Sequence, residues 1–305
     1  MSTATVGSVV GALALSVICL AGVTGCSSGS GHDASDDGSP LLKGLRTVSG
    51  DSGRSGPVTY LDAAAVRGLG EDGQKRFAAV GRPSSALLNA YDPGPWAGHL
   101  KEDQVDTAVD TKAAGHWEGS FDAAGITASL KANGYTRGEQ DGRETWTRPH
   151  GKGVALQVSK DTISYTVPGT APLSAVHPEE GASLADIEEY RRAAGCLGDV
   201  YRADFNPLTA TKPVRLSALG QRAGPAGKNT EVLCAVVKDE ATARRLATEL
   251  RSVIREKSPR YDGAKVTVRR GEWPLVRTTV PDTADRRPGR LMLSDLDLWL
   301  AVSGL

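Results

Sequence analysis

Five histidines, His32, His99, His116, His150 and His177, are the first side chains to weigh for acid–base or metal chemistry. His116-Trp117-Glu118 would put an imidazole and a carboxylate on one face of a strand, because residues i and i+2 point the same way. A transition metal needs at least one further donor. His177, followed by Glu179 and Glu180, forms a similar pair in a loop. Both spacings are also those of ordinary solvated side chains, and no pair of carboxylates stands out for general acid–base work. The residues therefore lead us to expect no catalytic, cofactor-binding or metal-binding position.

Two glycine-rich stretches need separate judgement. Gly50-Asp51-Ser52-Gly53 resembles the nucleophile motif of trypsin-like serine proteases, but Arg54 stands where that family continues with glycine. It also falls in a stretch that reads as flexible, whereas a triad needs a rigid oxyanion hole and an oriented base. Gly68-Leu69-Gly70-Glu71-Asp72-Gly73 has the spacing of a dinucleotide-binding fingerprint. That fingerprint should follow a strand and open a helix. Here Ala63–Arg67 reads as a helix running into the glycines, which is the pattern of a helix stop.

Lys and Arg total 36 against 36 Asp and Glu, so the net charge is zero and a nucleic-acid partner is not expected. At 24% charged and 39% hydrophobic residues the chain has the composition of a globular protein. Between Ala241 and Arg290, however, thirteen Lys and Arg face six Asp and Glu. That excess suits an anionic envelope polymer or lipid headgroups, or simply solvated helix and loop faces. Trp273-Pro274, and Trp96 beside Pro93-Gly94-Pro95, read as loop aromatics or core staples.

Residues 1–31 carry no charged side chain, and Val6–Val23 is a run of apolar and small residues. It could serve as a signal h-region or a short membrane span. It ends in Val23-Thr24-Gly25-Cys26, which resembles the lipobox of bacterial lipoproteins. The resemblance covers the first 26 residues. It implies that the Cys26 thiol receives a diacylglyceryl group and that cleavage leaves the lipidated Cys26 at the N-terminus. Cys19 follows the bulky Ile18 and fits the cleavage point poorly. An uncleaved membrane helix is the alternative, and either reading places the rest of the chain outside the cytoplasm. The lipobox, the following Ser/Gly-rich stretch and the arginine-rich composition together resemble surface lipoproteins of actinobacteria.

These residues are positioned by elements the sequence outlines. Residues 1–25 read as signal peptide and 26–57 as a flexible tether, with a root-mean-square reach of ~30 Å. Residues 58–172 and 173–305 read as two α+β halves. Asp122 and Asp239 are expected N-caps, and Ser183 opens a third helix. Further helical patterns cover Leu61–Leu69 and Gln74–Tyr91. Val154–Val158 and Ile163–Val167 alternate as a hairpin, and Leu291–Leu293 with Leu296–Val302 read as a second one. A shift of 135 positions superposes Leu156 on Leu291 and Val167 on Val302, which suggests duplicated halves, each an antiparallel sheet with helices packed on one face. Glu231–Val237 is apolar on both faces and reads as a buried central strand.

With Cys19 removed and Cys26 acylated, Cys196 and Cys234 remain, an even pair in an oxidising compartment. They are expected to form a disulfide, two separate buried thiols being the alternative. The functional expectation is a lipid-anchored, extracytoplasmic binding or sensing module without catalysis, held to the membrane by its N-terminal lipid. A cell-envelope hydrolase using His116 and Glu118, or a carrier of an apolar ligand, are the alternatives. Replacing Cys26 with Ala should release the protein from membranes or stall its processing, as fractionation would show. Fully cleaved, membrane-bound variant would contradict the lipoprotein reading.

Overall fold

The computed structural model describes residues 38–304 apart from 55, 84, 89–90, 92, 150–152, 168, 209–210, 225–227 and 284–285. Cys19, Cys26, His32 and His150 lie outside the described residues. The strands, in chain order, are β1 (Val58–Asp62), β2 (Val105–Thr111), β3 (Ala114–Gly119), β4 (Thr136–Gln140), β5 (Arg143–Thr147) and β6 (Ala155–Val158). They continue with β7 (Thr162–Thr166), β8 (Arg202–Pro207), β9 (Val214–Ala223), β10 (Asn229–Val237), β11 (Lys265–Arg269) and β12 (Leu275–Pro281). Among the described residues they join in one antiparallel sheet of order β11-β12-β10-β9-β8-β1-β2-β3-β7-β6-β5-β4. β1 stands at the junction, with Tyr60 opposite Val109 of β2 on one side and Ala203 of β8 on the other. The segments 58–172 and 173–305 thus contribute to the same sheet.

The helices are α1 (Pro40–Leu45), α2 (Gly50–Arg54), α3 (Ala63–Arg67), α4 (Gly70–Phe77), α5 (Ala123–Ala132), α6 (Glu188–Leu197), α7 (Glu240–Glu256), α8 (Arg290–Leu293) and α9 (Asp297–Ser303). Strand β10 shows how they are layered. Its Val232, Cys234 and Val236 share a core with α1 and α6, whereas Leu233, Ala235 and Val237 share another with α7 and α9. Helices therefore cover both faces rather than one, as a strand apolar on both sides requires. A third core joins Trp117, Leu156 and Ile163 of the sheet to Ile126 and Leu130 of α5.

Local cap chemistry forms where it is expected. The Asp122 carboxylate accepts from Gly125 N at 2.9 Å and that of Asp239 from Thr242 N at 2.7 Å. Ser183 and Asp186 form a reciprocal capping box on a short turn leading into α6. Strands β6 and β7 make the expected hairpin, its turn closed by Asp161 N and Thr162 N donating to Ser159 Oγ.

Three expectations fail for identifiable reasons. Residues 40–54 are not tether: α1 is capped by Ser39 and buries Leu41, Leu42 and Leu45 against Tyr60 and Val109. Their Ser- and Gly-rich surroundings conceal a helical spacing of leucines. Residues 291–302 are helices α8 and α9, not a hairpin. Leu291, Leu298 and Val302 are buried at spacings of seven and four, whereas Leu293, Leu296 and Leu300 are exposed. Without that hairpin the duplicated halves lose their main support. Leu61–Leu69 also begins as strand β1, with helix starting only at Ala63, where Asp62 caps α3.

Cys196 of α6 and Cys234 of β10 form a disulfide across the sheet–helix interface. Chain entropy for a closed loop of this length is worth about 4 kcal/mol, so Cys196→Ser should lower the thermal midpoint by about 10 °C. Calorimetry checks this; an unchanged midpoint, with Cys234 alkylated without reductant, would remove the bridge.

Candidate functional site

Two signals that are far apart in the sequence meet on the sheet. His116 of β3 is opposite Ser164 of β7, which is opposite Gln157 of β6, so the three share one face. His116 Nδ1 lies 2.8 Å from Ser164 Oγ, and His177 Nε2 donates to Gln157 Oε1 at 2.7 Å. The two imidazoles meet edge to face, 6.0 Å between centroids. Burial, aided by the Arg143 charge, pushes both down to about 4, so each is neutral near pH 7. Neutral rings can bind metals, but among the described residues neither ring is hydrogen-bonded to a carboxylate. Glu118 is exposed and accepts from Thr107 Oγ1 at 3.1 Å, and Glu179 and Glu180 point to solvent. Among the described residues no group of three or more His, Cys, Asp or Glu could hold a metal ion. His99 makes a separate, exposed contact with Asp122 at 3.0 Å.

The glycine motifs take structural places. Ser52 is buried within α2, where Tyr190 Oη donates to Gly53 O, and Gly68–Gly73 spans the turn from α3 into α4. Trp96 is a core staple, its indole N–H bonded to Leu87 O at 2.7 Å, and Trp273 is stacked under Arg215. A chain that the sequence does not announce runs from Ser85 Oγ to Tyr165 Oη and on to Asp110, which also accepts from Trp117 Nε1. Burial pushes the Asp110 carboxyl up to about 6 and the Tyr165 phenol well above its ordinary range. A phenol so reluctant to ionise is no base for Ser85, and the chain is a satisfied core network.

The basic stretch of the sequence becomes a place with shape. Pro259, Arg260, Arg286, Arg287, Arg290 and Asp295 line a cleft of about 520 Å³ beside α8. Its arginines are held by the buried Asp282 and the half-buried Asp295 and Asp297. Arg290, 6% exposed, reaches Asp282 and Asp295, each at 2.7 Å, and donates to Arg260 O. Tyr261 is fully buried, and its hydroxyl lies 3.0 Å from both Asp295 O and Asp297 Oδ2. Asp297 also pairs with Arg260 at 2.7 Å and Lys257 at 3.3 Å. Arg286 donates to the carbonyls of Arg260 and Pro259. Arg287 is exposed and has no ion pair or hydrogen bond among the described residues. Among the described residues Lys257, Arg260, Arg286, Arg287 and Arg290 meet Asp282, Asp295 and Asp297, with Glu231 below them, and Arg287 is left without an ion pair at the rim.

Beneath the cleft lies Glu231 of β10, with no solvent exposure, accepting from Gln221 Nε2 at 2.8 Å and from Leu291 N at the start of α8. Burial pushes its carboxyl up to about 7, helped by repulsion from Asp282. Arg290 offsets this only in part, because its charge is engaged by Asp282 and Asp295. The sequence signal for this cluster is limited to the Arg286-Arg287-Pro288-Gly289-Arg290 run, since its acids come from residues up to 59 positions away.

Comparison of the chain with known protein families, with curated proteins and with solved structures finds no match. Among the described residues, no helix is long and apolar enough to cross a membrane.

The Glu231 carboxyl predicts a pH dependence. The folded chain holds this proton up to about pH 7, whereas the unfolded chain releases it near its ordinary value of 4.5. Between those values the native state binds more protons, so its stability falls as pH rises and then levels off. His116 and His177 act in the opposite sense between about pH 4 and 6.5, because they stay neutral in the fold while the unfolded chain protonates. The difference between wild type and Glu231→Gln isolates the carboxyl: the wild type should lose roughly 3 kcal/mol more across this window. Parallel pH profiles in chemical denaturation would contradict the assignment.

Proposed function

We propose that this chain is a lipid-anchored, extracytoplasmic binding module rather than an enzyme, and that its arginine cleft receives an anionic group. The observation that carries the reading is Arg287, exposed and unpaired among the described residues, beside a cleft already lined by three further arginines. A guanidinium presents a fork of donors that matches phosphate or carboxylate. The acids below hold Arg290 and Arg260 in place, whereas among the described residues Arg286 bonds only to the carbonyls of Arg260 and Pro259 and Arg287 has no partner, so these two charges are the ones left to meet an anion. Anchoring at Cys26 rests on the lipobox resemblance. The extracytoplasmic location is supported by the disulfide, since such bonds persist in oxidising compartments. A hydrolase working through His116 is less favoured, because among the described residues its ring is bonded to a serine hydroxyl and to no carboxylate.

Isothermal titration of the full chain in detergent, with inorganic pyrophosphate at low salt, tests the cleft. Binding should weaken about tenfold or more in Arg286→Ala/Arg287→Ala, as expected when two charge-assisted hydrogen-bond donors are lost. It should also weaken as salt rises. Equal binding by wild type and variant would overturn the reading.

A further inference from the structure

Of the four large hydrophobic side chains that are exposed among the described residues, three fall within eight positions: Leu293 at 63%, Leu296 at 39% and Leu300 at 62%. Leu296 and Leu300 are one turn apart and share the outward face of α9. Leu298 and Val302, on its other side, are fully buried and hold the helix against the α7 core. The leucines are thus displayed by a firmly seated helix. Asp297, the next position round from Leu296, faces Arg260 and Lys257, so the apolar face runs directly into the cationic rim of the cleft.

We propose that this C-terminal helix pair docks on the surface of an anionic phospholipid bilayer. The leucines enter the acyl boundary while Arg286 and Arg287 take headgroup phosphates. This rests on the reading of the cleft given above and names its ligand. Charge complementarity favours a bilayer over a second copy, because a two-fold contact through this face would bring two arginine clefts together. Three leucines are too few for the core of a standard protein interface. At a membrane they need not supply the attachment, because the diacylglyceryl group expected on Cys26 already brings two acyl chains, and they need only set how the folded part rests on the surface. Long arginine stems can lie along the interface with their heads at the phosphates.

The test uses the full chain reconstituted in vesicles with bromine on their acyl chains. The first tryptophan is Trp96, so quenching reports on the folded part and not on the N-terminus. In vesicles of phosphatidylglycerol and phosphatidylcholine, quenching should exceed that in phosphatidylcholine alone by about twofold or more, and high salt should reduce it. Leu293→Ser/Leu300→Ser should bring it down to the phosphatidylcholine level while leaving pyrophosphate binding intact, since no charge is added beside the cleft. Both positions are exposed, and an unchanged circular dichroism spectrum would show that the variant folds. Equal quenching in the two lipid mixtures, or in variant and wild type, would overturn the docking. The pyrophosphate titration decides the cleft separately, so loss of one reading leaves the other measurable.

Discussion

The five residues of β1 carry the architecture. Val58 to Leu61 pair with β8 while the whole strand pairs with β2, so among the described residues the earlier and later strands of the sheet are joined through this ladder. Its side chains serve both layers: Tyr60 lies in the core with α1 and α6, and Leu61 on the opposite face lies in the core with α5. A short strand can hold this position because both its edges are hydrogen-bonded and both its faces are covered. Shifting it by one residue would exchange Tyr60 and Leu61 between cores of different shape.

Beside that junction one face of the sheet changes character. Thr59 donates to Asp204, and Arg202 grips the same carboxylate with two nitrogens at 2.8 and 2.9 Å while also donating to Val80 O. Arg202 is only 7% exposed. This polar seam divides the apolar cluster around Trp117 from the one around α7. Burying such a pair costs solvation that its geometry must repay, and the bidentate contact plus the carbonyl bonds satisfy the guanidinium. The cluster of Glu231, Asp282 and Arg290 repeats the arrangement further along, where β10 meets the C-terminal helices. In both places burial is compatible with charge because almost every donor and acceptor has a partner.

What the sequence disclosed follows how local each cause is. Asp122 and Asp239 were legible because a cap bonds to a backbone group three residues ahead. β10 was legible because six consecutive apolar or small residues, Val232 to Val237, have no solvent-facing side to show. Cys196 and Cys234 were legible through parity alone. The failures are equally physical. Alternating leucines over 291–302 satisfy a strand and a two-turn helix alike, and only the neighbouring α7 core selects Leu291, Leu298 and Val302 for burial. Helix α1 was hidden because composition averages over the Ser/Gly residues around Leu41, Leu42 and Leu45. The meeting of His116 with His177 depends on strand order, and the acids under the arginine cleft arrive from β10 and the loop after β12. No reading of adjacent residues contains either contact.

An open sheet has two ends, and both ends of this one are guarded. At β4 the Arg137 and Glu139 side chains are exposed, and Arg137 is tied to Glu144 of β5. At β11 Lys265, Thr267 and Arg269 are exposed, and Arg251 of α7 donates to Val266 O at 3.0 Å. A carbonyl already engaged by a guanidinium is not offered to an incoming strand, and flanking charges repel a second copy laid edge to edge. The consequence concerns crowding. Confinement to a two-dimensional film raises local concentration far above that in bulk, and ribbon-like growth from sheet ends is the hazard such crowding brings. On the proposed reading of a membrane-anchored chain, capped ends would let many copies share that surface as separate molecules.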